Sequence, residues 1–243
     1  MDNFLFYSKN NDLSIENIRN SISENSIIGK EILYFQTITS TNTVALELAS
    51  NNCKEGTVII ADMQTNGKGR LGRKWISPMG KNLYMSIILK PEIPLKDAQI
   101  LTLFSAISCA HAIKKLHKLN VLIKWPNDLM VNNKKLGGIL TEIKNEPKRI
   151  SFAVIGIGLN INLERKDLPE DIREKATSLK EELGRNVSRT DTMIAILEEL
   201  ERIYNLLLKF GKTFIIGEYL KMSSTIGKDI KVIMNDTNII GTA

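Results

Sequence analysis

A short glycine-rich and basic segment contains the residue types in this chain that could do the most chemistry. It runs from Gln64 to Trp75 and contains Gly67-x-Gly69-x-x-Gly72, interleaved with Lys68, Arg70, Arg73 and Lys74. Guanidinium groups and glycine backbone amides are well suited to binding phosphates and carboxylates. Because glycines and cations are so dense here, we expect an anion site rather than a solvated surface loop.

Two common nucleotide-binding motifs are excluded for this segment. A Rossmann turn requires a helix to begin at the third glycine, whereas residues 73–78 lead into another strand-like run. A Walker loop requires Gly-Lys-Ser/Thr at a fixed spacing, which is missing. The segment therefore predicts anion binding by a loop of another kind.

Three further segments contain residue types typical of binding sites. They are Lys124-Trp125-Pro126-Asn127-Asp128, Lys134-Lys135-Leu136-Gly137-Gly138-Ile139-Leu140 and Gly156-x-Gly158-x-Asn160. Taken singly, each has an ordinary explanation: a turn, a solvated hairpin tip and a tightly packed strand. A glycine within a strand also marks the close approach of a ligand or another backbone.

The surrounding pattern predicts the elements that must position these segments. Strand-like runs occupy residues 32–35, 56–63, 82–89, 121–124, 129–131, 139–143 and 151–162, and helical spacing occupies 13–22, 44–49, 97–117 and 190–210. Residues 132–135 are predicted to form a hairpin turn, and Thr190 and Asp191 to cap the last helix. A new β element is predicted at 226–233, with a turn at 235–236. Strands mixed with separate long helices indicate the α+β class.

Composition excludes several classes of protein. The 243 residues have a net charge of +6, only two cysteines (Cys53 and Cys109) and only two histidines (His111 and His117). Two cysteines and two histidines are too few to favour a disulfide framework, a zinc knuckle or a Ser-His-Asp triad. The scarcity of cysteine also leads us to expect a reducing, cytoplasmic location. No apolar run approaches the ~20 residues of a membrane span, so no membrane partner is expected.

The four segments in this order, together with Ser40-Thr41-Asn42 upstream, closely resemble the catalytic domain of biotin protein ligases. The resemblance implies a mixed β-sheet flanked by helices, similar to class II synthetases and to the biotin and lipoate ligase catalytic domain. It implies that biotin and MgATP form biotinyl-5′-AMP and pyrophosphate. Biotin then passes to a lysine of a carboxylase carrier protein or carrier domain. It also implies a homodimer.

The resemblance assigns site residues by motif. Biotin binding is implied for Ser40, Thr41, Asn42, Gln64, Gly67, Lys68, Arg70, Lys135, Gly138 and Gly156. ATP binding is implied for Arg70, Arg73, Trp75, Asn127, Asp128, Lys135 and Asn160. Lys135 and Arg70 are the catalytic candidates, because a carboxylate that attacks a phosphate needs fixed positive charge. Mg²⁺ is expected to be held mainly by the ATP phosphates, with Asp128 as the candidate protein ligand.

The expected domain organisation has three parts: a short extension at 1–31, a catalytic domain at 32–222, and the beginning of a truncated SH3-like β domain at 223–243. Because few residues precede the catalytic domain, no winged helix and no specific DNA binding are expected. Two alternative functions stay open. One is a lipoate protein ligase or transferase, and the other is a non-enzymatic nucleic-acid-binding module suggested by the positive charge.

Overall fold

The computed structural model describes residues 12–147, 149–234 and 237–243. Its strands are β1 (Ile32–Ile38), β2 (Val58–Gln64), β3 (Leu83–Leu89), β4 (Leu122–Lys124), β5 (Asp128–Val131), β6 (Lys134–Glu146), β7 (Arg149–Leu159), β8 (Asp229–Met234) and β9 (Thr237–Thr242). Its α-helices are α1 (Ile15–Ser21), α2 (Thr41–Ser50), α3 (Ile100–His117), α4 (Glu170–Arg173), α5 (Leu179–Leu183), α6 (Arg189–Phe210) and α7 (Lys212–Met222). The α+β class is confirmed.

Seven strands form one mixed sheet in the order β1-β2-β3-β7-β6-β5-β4. Only β1 and β2 run parallel, joined by a crossover through α2, and the other neighbouring pairs are antiparallel. Strands β8 and β9 form a separate antiparallel pair. The predicted mixed sheet and the small C-terminal β element are therefore both present.

The two faces of the sheet are covered unequally. One face packs against α3 and α6 in the main apolar core, which includes Phe104 and Tyr204 with ring centroids 5.6 Å apart. The other face is covered by α2 over a small cluster that includes Ala45, Ile59 and Val154. Because α2 is short, the rest of this second face is free to form a binding site.

The segment before β1 is packed into the main core. Ile15 and Ile18 of α1 are buried against it, with Ser14 capping the helix. Arg189, at the start of α6, is 1% exposed and bonds the Asp12 and Asp62 carboxylates at 2.5 and 2.6 Å. Burial alone would lower the pKa of Arg189, but its bonds to Asp62 and Asp12 raise it. Part of the predicted 1–31 extension thus contributes to the fold.

Three local predictions need correction. The β5–β6 turn consists only of Asn132 and Asn133, both with positive φ, so Lys134 and Lys135 begin β6 instead of lying in the turn. Helix α6 is capped by Ser188, whose hydroxyl accepts from the amide of Asp191. Helix α7 was not predicted, because its apolar periodicity is weak next to the long pattern of α6. The turn at 235–236 lies outside the described residues.

None of the helices in the described part of the chain combines the length and apolar character needed to cross a lipid bilayer.

Candidate functional site

A cavity of about 410 Å³ opens on the part of the sheet that α2 leaves uncovered. This volume is in the usual range for small-molecule sites, ~300–1,000 Å³. Its lining includes these predicted site residues: Ser40, Thr41, Asn42, Gln64, Lys68, Arg70, Arg73, Trp75, Asn127, Asp128, Lys135, Gly138, Gly156 and Asn160. Gly67 instead borders a neighbouring cavity beneath the basic loop, which we define as residues 67–74. The four sequence segments therefore meet in one place.

The first turn of α2 and the end of β2 form a polar floor. Gln64 Oε1 accepts from the backbone amide and the hydroxyl of Thr41 at 2.9 and 3.2 Å. Gln64 Nε2 donates to Ser77 Oγ at 3.0 Å. Ser40 is the N-cap residue of α2 in an extended conformation, and its side chain makes no capping bond. Its hydroxyl is therefore not committed to the cap.

The glycines of β7 make room for protein side chains. A Cβ built at Gly156 would lie 2.1 Å from Asn42 Oδ1, and one at Gly158 would lie 2.6 Å from Cε2 of Trp75. Both distances are below any normal carbon contact. The close approach suggested by the sequence is thus an approach of Asn42 and Trp75, which themselves line the cavity.

Strands β5 and β6 and the basic loop form one wall of the cavity, and this wall carries fixed positive charge. Lys135 Nζ lies 2.7 Å from Asp128 Oδ1 and 5.5 Å from the centroid of the Trp75 ring. Arg70 Nη1 donates to Asn127 Oδ1 at 3.0 Å. Because the two-residue turn places Lys135 within β6, its ammonium is held over the cavity instead of moving freely at a hairpin tip.

The indole of Trp75 contains an unused donor. Its Nε1 is buried and has no hydrogen-bond partner within the described residues. A buried donor without a partner costs about 1–3 kcal/mol, so such groups are rare unless a ligand or water completes them. Trp75 therefore provides both an aromatic surface and an N–H for a bound molecule.

The three asparagines predicted at the site have structural partners. Asn42 Nδ2 donates to Glu142 Oε2 at 2.7 Å. Asn127 Nδ2 donates to the carbonyl of Ile139 at 3.0 Å. Asn160 Nδ2 donates to the carbonyl of Thr177 at 3.0 Å, and Asn160 is 5% exposed. These bonds hold the walls of the cavity together, and they limit what the three amides can offer to a ligand.

The sequence analysis missed three residues that shape this site, Ser77, Ser86 and Glu142, and it named Gly158 without giving it a binding role. Ser86 is fully buried in the otherwise apolar strand β3, and it bonds Thr41 and Asn42. Glu142 likewise follows an apolar run in β6. A lone polar residue in an apolar strand is the signal that could have identified both.

The described residues contain no group of three or more His, Cys, Asp or Glu side chains that could hold a metal ion. Asp128, the candidate protein ligand for Mg²⁺, is already paired with Lys135. A protein-built metal cage is thus not seen in this part of the chain.

Comparisons with known proteins agree with this geometry. The family model described as "Biotin/lipoate A/B protein ligase family" matches residues 34–160, just over half of the chain. The "Bifunctional ligase/repressor BirA" of Bacillus subtilis is 39% identical over 187 residues, covering 77% of this chain and 58% of that protein. The Escherichia coli protein of the same name is 32% identical over 213 residues, covering 88% and 65%.

Solved structures show the same likeness. The structure described as "Biotin protein ligase from Aquifex aeolicus in complex with biotin and ATP" has a TM-score of 0.74 at 28% identity, covering 88% of this chain and 87% of that one. This chain spans about three fifths of the length of the first curated relatives it matches. The matched family model, the BirA relatives and the shared fold together show that this chain belongs to the biotin/lipoate A/B protein ligase family.

Proposed function

We propose that this chain is an ATP-dependent biotin protein ligase. In the first step, a biotin carboxylate oxygen attacks the α-phosphorus of ATP, and the bond from the α-phosphorus to the bridging oxygen of pyrophosphate breaks. In the second step, the amine of a carrier lysine attacks the acyl carbon of biotinyl-5′-AMP, and AMP leaves. The observation that carries this proposal is the junction, in one cavity, of a polar floor and a cationic wall. Relatives named as biotin ligases support it.

The cationic wall is suited to the first step. A carboxylate and a triphosphate repel each other, so the site must supply positive charge where they meet. In this proposal Lys135 and Arg70 bridge the carboxylate and the α-phosphate. Their partners Asp128 and Asn127 hold both cations in place at 2.7 and 3.0 Å. Lys68, Arg73 and Lys74 add charge from the basic loop.

Trp75 is proposed to bind the adenine ring. Its ring lies beneath Lys135 and against Gly158, and its indole N–H is free for an acceptor within the described residues. Mg²⁺ is proposed to arrive on the ATP phosphates, because a cation that keeps most of its waters needs few protein ligands. Asp128 stays the candidate for one such contact.

The polar floor favours biotin over lipoate, which is the rival substrate. Biotin has a ureido ring with two N–H donors and one carbonyl acceptor, whereas the dithiolane ring of lipoate has neither. Ser40 and Thr41 present hydroxyl groups that a dithiolane would leave without a ligand partner. We therefore expect biotin, and not lipoate, to raise the melting temperature. The reverse result would favour the lipoate ligase.

The non-enzymatic nucleic-acid-binding module has less support. The densest group of cations, Lys68, Arg70, Arg73 and Lys74 of the basic loop, lines the same cavity as the polar floor. The absence of specific DNA binding stays a prediction, tested by a gel shift with a biotin operon promoter. That this chain forms a homodimer also stays a prediction, and sedimentation analysis would test it. A cytoplasmic location is supported by the two free cysteines.

The experiment that tests the proposal measures pyrophosphate release from ATP with and without biotin. Lys135→Ala is compared with Lys134→Ala, because these neighbouring lysines of β6 alternate across the sheet and only Lys135 lines the cavity. We expect Lys135→Ala to lose about 100-fold or more in kcat, the usual cost of removing one charge-stabilising group. The kcat of Lys134→Ala should stay close to that of the unchanged protein.

Two results would contradict the proposal. If the unchanged chain releases no more pyrophosphate with biotin than without it, the chain does not activate biotin. If Lys135→Ala is as active as Lys134→Ala, the ammonium of Lys135 does not stabilise the reacting groups. Transfer is checked separately by the gain of biotin on an isolated carboxylase carrier domain.

A further inference from the structure

A chain of hydrogen bonds runs from Glu142 to the floor of the cavity. Asn42 Nδ2 donates to Glu142 Oε2 at 2.7 Å and to the carbonyl of Leu140 at 3.3 Å. Ser86 Oγ lies 2.6 Å from Asn42 Oδ1 and 2.8 Å from Thr41 Oγ1. The chain thus joins β6, α2 and β3, and it ends at Thr41, which lines the cavity.

The direction of this chain is determined at the Glu142 end. Both neighbours of Asn42 Nδ2 are acceptors only, so the amide nitrogen must face them and Oδ1 must face Ser86. A hydroxyl has one proton, and an amide oxygen can only accept. The proton of Ser86 therefore points to Asn42 Oδ1, the shorter of its two contacts.

The orientation of Ser86 affects the orientation of the Thr41 hydroxyl. Its own proton points inward, either to Ser86 Oγ at 2.8 Å or to Gln64 Oε1 at 3.2 Å, because both are acceptors in this arrangement. The lone pairs of Thr41 Oγ1 are then what its hydroxyl offers to the cavity. Ser86 is fully buried and Thr41 is 4% exposed, so water has little access with which to reverse the chain.

We propose that Glu142 is a positioning residue that makes the Thr41 hydroxyl a hydrogen-bond acceptor for a ligand N–H. The inference rests on the proposed function, in which that N–H belongs to the ureido ring of biotin. Glu142 also borders the neighbouring cavity beneath the basic loop. It acts through Asn42 and Ser86, and it selects a ligand with an N–H over one with an apolar or sulfur-containing ring.

The test reverses the direction of the hydrogen bonds between Glu142 and Thr41 by changing one residue. Lysine can only donate, so Glu142→Lys turns the Asn42 amide around. Ser86 then donates to Thr41 Oγ1, and the proton of Thr41 keeps only the longer contact to Gln64 Oε1, at 3.2 Å, to hold it away from the ligand N–H. Glu142→Gln retains an acceptor and should retain the direction. Glu146→Lys is the matched control. It makes the same change of charge on the same strand, but Glu146 is exposed and pairs only with Arg149 at 2.6 Å among the described residues.

Biotin binding is measured by calorimetry, and the KM for ATP is measured from pyrophosphate release. We expect Glu142→Lys to weaken biotin binding by about tenfold or more, the cost of an unpaired buried donor. This loss would occur even though added positive charge favours an anion. The biotin affinities of Glu142→Gln and Glu146→Lys should stay within about threefold of that of the unchanged chain. This is a smaller change than the loss of one ordinary hydrogen bond would cause. The KM for ATP should not follow the change in biotin affinity.

Several outcomes would overturn the inference. The inference is overturned if Glu142→Lys binds biotin as tightly as Glu146→Lys, or if Glu142→Gln loses as much biotin affinity as Glu142→Lys. If Glu142→Lys does not fold, Glu142→Ala replaces it, and unchanged biotin affinity in that variant overturns the inference. An unchanged chain that binds no biotin overturns the proposed function as well, so the two failures are distinguishable.

Discussion

A single methyl group at position 156 provides a sharp test of the packing that shapes the cavity. Gly156 lies in the middle of the sheet, paired with Ser86 on β3 and with Leu140 on β6. Its missing side chain leaves space that the amide of Asn42 fills. In Gly156→Ala, the new Cβ would lie 2.1 Å from Asn42 Oδ1 and 2.8 Å from its Cγ.

The expected size of the effect follows from these distances. Protein Cβ atoms essentially never approach other atoms closer than 3.0 Å, so Oδ1 must retreat by about 1 Å. Overpacking of this kind costs about 1–3 kcal/mol. Asn42 follows Thr41 in the first turn of α2, so its retreat also displaces the cavity floor. A misplacement of ~1 Å can cost ~100-fold in rate. We expect biotin affinity to fall by about 10- to 100-fold.

The assay compares three glycine variants in biotin calorimetry, the KM for ATP and thermal melting. Gly158→Ala places a methyl group 2.6 Å from the Trp75 ring, so it should raise the KM for ATP more than that for biotin. Gly217→Ala, in α7, is the control, because its new Cβ would meet none of the described atoms within 4 Å apart from its chain neighbours and the backbone of its own helix. The reasoning is refuted if Gly156→Ala binds biotin within about twofold of the unchanged chain and melts at the same temperature.

Three further predictions concern stability and reactivity. Asp62→Asn breaks the buried pair with Arg189 and should lower the free energy of unfolding by about 3 kcal/mol. Asp12→Asn, at a 43% exposed carboxylate, should cost at most about 1 kcal/mol, and urea denaturation that finds equal losses would contradict this. Burial lowers the pKa of His111 below its ordinary value of 6.5, so the native state resists protonation and stability should fall as the pH drops below 6.5. A His111→Gln variant should lose less stability between about pH 7 and pH 5, and an equal loss would exclude His111 as the cause. Burial raises the pKa of Cys109 to about 12, so a thiol reagent at pH 8 should modify it only after unfolding, and rapid native labelling would contradict that burial.

Local patterns were sufficient to predict most of the fold. The β-branched apolar runs of β2, β3 and β7 identified them as strands, and the three- and four-residue spacing of α3 and α6 identified them as helices. These signals are strong because the three strands are buried along most of their length, and each of the two helices buries apolar residues in the main core. Helix α7 was missed, since its apolar residues are spread around the helix and both Ile216 and Leu220 are exposed.

The site was predicted less completely. Motif resemblance identified the four segments, and the structure brings all four to one cavity. It did not identify that Asn42 is held by Glu142, or that Asn160 bonds the carbonyl of Thr177. Both contacts join residues that are distant along the chain, and neither has a local signature. The predicted hairpin tip at Lys135 was wrong for a related reason, because strand pairing decides where a turn ends.

Residue types and their order along the chain are enough to indicate the chemistry: cations on a glycine-rich loop, a lysine beside glycines, and an aromatic ring after the loop. Those properties are local, since charge, ring and backbone freedom belong to individual residues. The tertiary structure alone decides which of these groups face one another. The antiparallel register of β3, β7 and β6 aligns Ser86, Gly156 and Leu140 beneath Asn42, and that alignment is a non-local property of the sheet.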